Sequence, residues 1–189
     1  MKEYTKVLNQ IINYNPKCEQ EEIDKEQMVW LIDTYKERAF VRSLMFGHLT
    51  ASAIVVDRTR KYVLMAYHNI YNSWAWLGGH ADGEYDLEKL ARKEVFEETS
   101  LEDIKLIDNN YSSIEILTVD KHIKRGKFVS SHLHYNVTFL YEGDMDKPIK
   151  KKEDENSGVK WIKIDDLYEH VYTDHGMYEI YMKSLERFK

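Results

Sequence analysis

Cysteine is almost missing from this chain: Cys18 is the only one in 189 residues. No internal disulfide can form, and no zinc cluster is available. Long apolar runs are missing too. No stretch of 18 apolar residues exists, so a membrane-spanning helix is not expected. The start, Met1-Lys2-Glu3-Tyr4, lacks the apolar run of a signal peptide, and the expected location is the cytoplasm. A basic excess is also lacking, since 27 basic residues face 33 acidic ones for a net charge of −6. Such a chain is a poor candidate for unspecific binding to a nucleic-acid backbone. It suits a small phosphorylated substrate, provided metal ions sit between carboxylates and phosphates. No internal repeat is visible.

What remains is rich in core-forming material. Hydrophobic residues make up 43% of the chain and charged residues 32%, a globular rather than disordered balance. Fourteen tyrosines and four tryptophans supply amphipathic surface for a core and a stacking pocket. The length fits one domain, or one domain with an extension, at roughly 150 residues per domain.

The first 46 residues read as helical. Tyr4, Val7, Leu8, Ile11 and Ile12 recur at helical spacing until Asn15-Pro16 breaks the pattern. A second run, 19–35, carries Ile23, Met28, Leu31, Ile32 and Tyr35. Neither run could bury a core alone. We therefore read 1–46 as an N-terminal extension of a domain at 47–189, its stripes buried over a sheet or in a homodimer contact. Strands are expected at 49–56, 62–67, 74–77, 113–122, 129–141 and 159–164. Between them lies a helix from Asp86, its N-cap, to Thr99, and another starts near Met177. The order predicts an α/β (α+β) fold with a mixed sheet sandwiched between helices.

Glu94, Glu97 and Glu98 are spaced i, i+3 and i+4, so they leave one helix face together. A solvated helix face is the plain explanation for such a triplet. A divalent cation explains it better, because three crowded carboxylates repel and Mg²⁺ wants oxygen ligands. Gly78-Gly79 lets backbone approach a ligand closely, and the helix start behind it could offer N–H groups to phosphate.

These residues resemble the Nudix (MutT-like) signature G-x5-E-x7-R-E-U-x-E-E-x-G-U, where U is bulky and aliphatic. Gly79 to Leu101 has the signature's full 23 residues without a gap, and Gly79, Glu94, Val95, Glu97, Glu98 and Leu101 match. Tyr85 stands in place of the first glutamate, with Glu84 beside it. Lys93 replaces the arginine and loses its bidentate fork, and Ser100 replaces the helix-ending glycine. The likeness covers 48–168, with the segment from Trp161 to Leu167 resembling the family's closing strand and turn.

The resemblance implies Mg²⁺, or Mn²⁺, held by Glu94, Glu97, Glu98 and the Gly79 carbonyl, polarising a phosphoryl oxygen and activating water. Glu97 and Glu98 are then the catalytic carboxylates, both expected to face solvent, with Glu98, Glu153 or Glu155 as general base. The implied reaction is cleavage of a phosphoanhydride in a nucleoside diphosphate derivative. One alternative is a non-catalytic nucleotide-sensing regulator on the same fold, although the glutamates survive here. The other is an isoprenoid diphosphate isomerase, which needs a catalytic cysteine, whereas Cys18 lies outside the resembling core. His80 is a candidate phosphate contact. Trp76 is a candidate base-stacking residue that shares a face with Trp74, where core packing is the simpler role. His132 and His134 share a strand face and are read as lining a pocket or the surface rather than as ligands. Lys150-Lys151-Lys152 reads as solvated loop.

Overall fold

The computed structural model describes residues 2–69, 72–124, 126–152, 156–171 and 176–188. Strand β1 (Gly47–Asp57) is buried at every position, as a strand covered on both faces must be. Its side chains alternate between two cores. Leu49, Ala51, Ala53 and Val55 pack into the larger one, while Ile54 and Val56 pack into the smaller. The Asp57 carboxylate ends the strand by accepting N–H bonds from Thr59, Lys61 and Tyr62, each 2.8 Å long. That fixes the turn into β2 (Tyr62–His68), which returns antiparallel to β1.

The next stretch departs from the single strand expected at 74–77. β3 (Ser73–Ala75) pairs with β2, the chain steps sideways at Trp76, and β4 (Leu77–His80) pairs with β1 instead. Gly78 permits the step: a Cβ there would lie 2.6 Å from the Ala51 carbonyl oxygen. Helices α1 (Glu3–Ile12) and α2 (Glu19–Tyr35) precede the sheet, and α3 (Leu87–Thr99) follows β4. Asp86 caps α3 by accepting from the Lys89 N–H at 3.1 Å, and Ser100 ends it at φ 60°, where glycine is favoured.

β5 (Ile104–Leu106), β6 (Ser113–Val119) and β9 (His132–Gly143) complete one side of the eight-stranded mixed sheet, with β9 parallel to β1. β10 (Asn156–Lys163) closes the other edge against β2. The strands expected at 113–122 and 129–141 are interrupted between them by a hairpin, β7 (His122–Lys124) with β8 (Lys127–Val129). Gly126 at φ 75° makes its turn. α4 (Met177–Leu185) covers the smaller core. Among the described residues no helix is long and apolar enough to cross a membrane.

The N-terminal stripes are buried over the sheet. Tyr4, Val7, Ile11, Met28, Leu31 and Ile32 belong to the same core as β1 and α3, whereas Ile12 and Ile23 point outward. A buried ionic network adds to the seam. Lys183 of α4 lies 3.0 Å from Glu21 of α2 and 3.2 Å from Glu115 of β6, and the Tyr14 hydroxyl donates to Glu21 at 2.8 Å. Deleting residues 1–46 should therefore bare an apolar face and strand Lys183 beside one carboxylate. The expected outcome is aggregation or a raised mass by light scattering. A soluble monomer with an unchanged melting temperature would show that the helices contribute nothing.

Candidate active site

α3 lies across β1 and β4, and its polar face looks into a cleft of about 1530 Å³. Glu94, Glu97 and Glu98 all line that cleft, together with Gly78, Gly79, His80, Trp74 and Trp76. The carboxylates are not equivalent. Glu98, expected to face solvent, is only 7% exposed, because β4 and β10 close over it. One of its oxygens accepts the Gly78 N–H at 2.9 Å and the other accepts the Asn156 side-chain amide at 2.6 Å. Glu97 is the open one. Burial alone would raise its pKa, but Lys93 at 3.1 Å and Lys152 at 3.5 Å outweigh that and hold it below the usual range.

Lys152 therefore corrects the reading of 150–152 as plain solvated loop. The chain folds back onto the end of α3, where the Lys150 N–H donates to the Thr99 carbonyl at 2.8 Å, and this carries the next-but-one ammonium to Glu97. Lys93, for its part, spans Glu97 and Glu94, the latter at 3.9 Å. Gly79 has a definite steric reason: a Cβ there would meet the Glu94 carboxylate at 2.5 Å. The two glycines thus admit β1 and Glu94, where close approach to a ligand had been expected.

The helix entrance also differs from expectation. Glu84 accepts from the N–H groups of Tyr85 and Asp86, both at 3.0 Å, and pairs with Lys89 at 2.7 Å. The hydrogen bond from Lys89 is the main cause of its lowered pKa. With Asp86 on the Lys89 N–H, acidic side chains already occupy this helix terminus. Tyr85 turns away from the cleft and packs on Phe40, ring centroids 4.8 Å apart.

Trp76 borders the cleft and meets Tyr181 edge-on at 5.2 Å, so it is packed as well as available. Cys18 is exposed and borders the same cleft, although it belongs to the extension. Glu153 and Glu155 lie outside the described residues. The cleft floor is polar: Asn136 accepts from Thr50 at 3.0 Å and from Ser52 at 2.9 Å, and donates to buried Glu115 at 3.2 Å. Lys152, Asn136 and Asn156 escaped the sequence reading. The roles of Asn136 and Asn156 come from strand register, and that of Lys152 from the loop folding back on Thr99; no local motif encodes either.

His80 does not stand alone at the end of β4. His48 of β1 and His132 and His134 of β9 join it, with ring nitrogens of all four within 4.8 Å of one another. Burial first, then repulsion from Arg42 and His48, pushes His80 down to about 3. Burial first, then repulsion from His80 and His48, pushes His134 down to about 2. Both imidazoles are neutral at neutral pH. His48 was not singled out in the sequence, because the four histidines are local neighbours only in the folded sheet.

The comparisons agree with this geometry. The NUDIX domain family matches residues 47–183. Similar solved structures include a Nudix-family hydrolase from Clostridium perfringens, with TM-score 0.55 and 17% identity over 75% of this chain and 98% of that one. An Ap4A hydrolase from C. elegans in a binary complex has TM-score 0.52 and 18% identity over 74% of this chain and 93% of that one. The Nudix hydrolase RenU from M. smegmatis has TM-score 0.51 and 14% identity over 75% and 84%. No match was found among curated protein sequences. The fold is that of the Nudix hydrolases, and the chain belongs to the Nudix family. It is a hydrolase acting on pyrophosphate bonds, in a family whose members generally use divalent metals.

The anchoring of Glu98 can be tested directly. Asn156→Ala removes a donor from a buried carboxylate and should cost roughly 1–3 kcal/mol of stability, read by chemical denaturation. An unchanged midpoint would mean that Asn156 does not hold Glu98.

Proposed function

We propose that this protein is a Mg²⁺-dependent pyrophosphohydrolase, Mn²⁺ being a competent substitute, that cuts the phosphoanhydride of a nucleoside diphosphate joined to a second group. The observation that carries this reading is that three carboxylates of one helix face converge on the cleft where β4 runs past them. The residues fit a hard divalent ion. They offer an oxygen-rich set, and the missing side chain at Gly79 lets the Glu94 carboxylate lie directly against the β4 backbone, beside the Gly79 carbonyl. Glu94, Glu97, Glu98 and the Gly79 carbonyl are the proposed holders. When bound, the ion supplies Lewis acidity at a phosphoryl oxygen and a lowered pKa for water.

The chain's own residues divide the remaining work. Glu98, tied at both oxygens, fixes the helix face relative to β4 and β10. Glu97, flanked by Lys93 and Lys152, stays ionised and is the most accessible of the carboxylates. Trp74 and Trp76 give the cleft an aromatic wall on which a base can stack. The cleft exceeds the ~300–1,000 Å³ usual for a small ligand, which suits a nucleotide carrying a further group. An isomerase would have to draw on Cys18, which borders the cleft from the exposed N-cap of α2 rather than from the carboxylate helix or β4.

Glu97→Gln tests the reading with little risk to the fold, since the side chain is a third exposed. Phosphate or pyrophosphate release from a panel of nucleoside diphosphate derivatives, measured with Mg²⁺, should fall at least about a hundredfold. Release should also vanish in chelator. Full turnover by the variant, or turnover indifferent to chelator, would overturn the assignment.

A further inference from the structure

The four histidines lie beside the carboxylates, and His80 and His134 line the same cleft. His48 comes from β1, His80 from β4, and His132 and His134 from β9, three strands hydrogen-bonded side by side. The register places His48 directly opposite His134, and Thr50, two residues on, opposite His80. Two-residue spacing puts His132 and His134 on one sheet face. The sheet thus gathers four imidazoles at one end, with ring nitrogens within 4.8 Å of each other.

The outer hydrogen bonds set the direction in which the rings are basic. His48 Nδ1 faces the Leu44 carbonyl at 3.4 Å, and His132 Nδ1 faces the Ser130 carbonyl at 2.9 Å. A carbonyl oxygen only accepts, so each Nδ1 carries its proton and each Nε2 presents a lone pair. That is how backbone carbonyls orient metal-ligating histidines. His48 is 3% exposed, and its Nε2 is buried without a hydrogen-bond partner. An unmet buried acceptor of this kind calls for an explanation.

The spacing supplies one. His132 Nε2 and His134 Nε2 are 3.2 Å apart. With His132 Nε2 an acceptor, either the His134 Nε2–H donates to it or a cation lies between the two nitrogens. Two nitrogens on one tetrahedral zinc stand about 3.3 Å apart, given Zn–N bonds of about 2.0–2.1 Å.

We propose that His48, His80, His132 and His134 form a second metal site, selective for a late first-row divalent ion of which zinc is the representative. Imidazole nitrogen suits such ions, whereas Mg²⁺ requires oxygen. The two sites therefore sort their ions by ligand chemistry although His80 follows Gly79 in the chain. Four protein ligands close a tetrahedral shell and leave no position for substrate, so the ion acts structurally. It pins β4 to β1 and β9 one residue from Gly79. An all-histidine set needs no cysteine, so the lone Cys18 does not bear on zinc at this site.

The test uses the full chain without a polyhistidine tag, stripped with chelator and titrated with ZnCl₂ by calorimetry. The expected result is one zinc per chain, kept by Glu97→Gln. His132→Gln and His80→Asn, made separately and checked by circular dichroism, should each weaken binding ~100-fold or more, since loss of a supporting partner alone costs 10–100-fold. Co²⁺ on the unmutated chain provides a readout free of any variant: intense visible bands of tetrahedral nitrogen coordination are expected. Zinc bound equally by the histidine variants, zinc lost in Glu97→Gln, no stoichiometric zinc at all, or a pale octahedral Co²⁺ spectrum would each overturn the proposal.

Discussion

The contact between the two glycines of β4 and the inner face of α3 is the constraint on which the rest of this molecule depends. Gly78 has no side chain because the β1 backbone occupies that space, and its N–H is thereby free to bind Glu98. Gly79 has none because Glu94 occupies that space. The strand, the helix and two of the three carboxylates are thus positioned by one pair of residues. Asn156 of β10 grips Glu98 from the other side, so the sheet edge and the helix are locked through a single buried carboxylate. Charge that would otherwise be costly to crowd is balanced by Lys93 and Lys152 at the more open Glu97.

The segment that follows α2 bears on the same region. The Arg42 guanidinium pairs with Asp82, the Gly83 N–H donates to the Phe40 carbonyl at 2.9 Å, and Phe40 packs on Tyr85. The loop between β4 and α3 is therefore held from the extension side at three points, Asp82, Gly83 and Tyr85. Tyr85 stands where the family signature has a glutamate, and here it serves as an aromatic anchor. Glu84, beside it, lines the cleft and ties the helix entrance together with Lys89.

Much of this was legible from local pattern. Helical spacing gave the face of Glu94, Glu97 and Glu98, Asp86 was recognisable as a cap, and strand-helix alternation pointed to the mixed sheet. What depended on register was not legible. Trp74 to Leu77 reads as one strand, and the sideways step at Trp76 is visible only in which neighbour each half pairs with. Lys152 looks like loop until the chain folds back on Thr99, and Asn156 has no motif at all. The four histidines are the clearest case, since 86 residues of sequence separate His48 from His134 and the parallel pairing of β1 with β9 brings them together.

The central claim is that the α3 carboxylates, rather than the neighbouring acidic residues of the helix entrance, hold the catalytic ion. Mn²⁺ binding followed by electron paramagnetic resonance tests this most directly, because Mn²⁺ favours oxygen ligands and its free signal can be counted. Glu94→Gln should weaken Mn²⁺ binding by roughly tenfold or more, since carboxylate count sets affinity, while Glu84→Gln should leave it unchanged. Equal binding by the Glu94 variant, or loss confined to the Glu84 variant, would contradict the account.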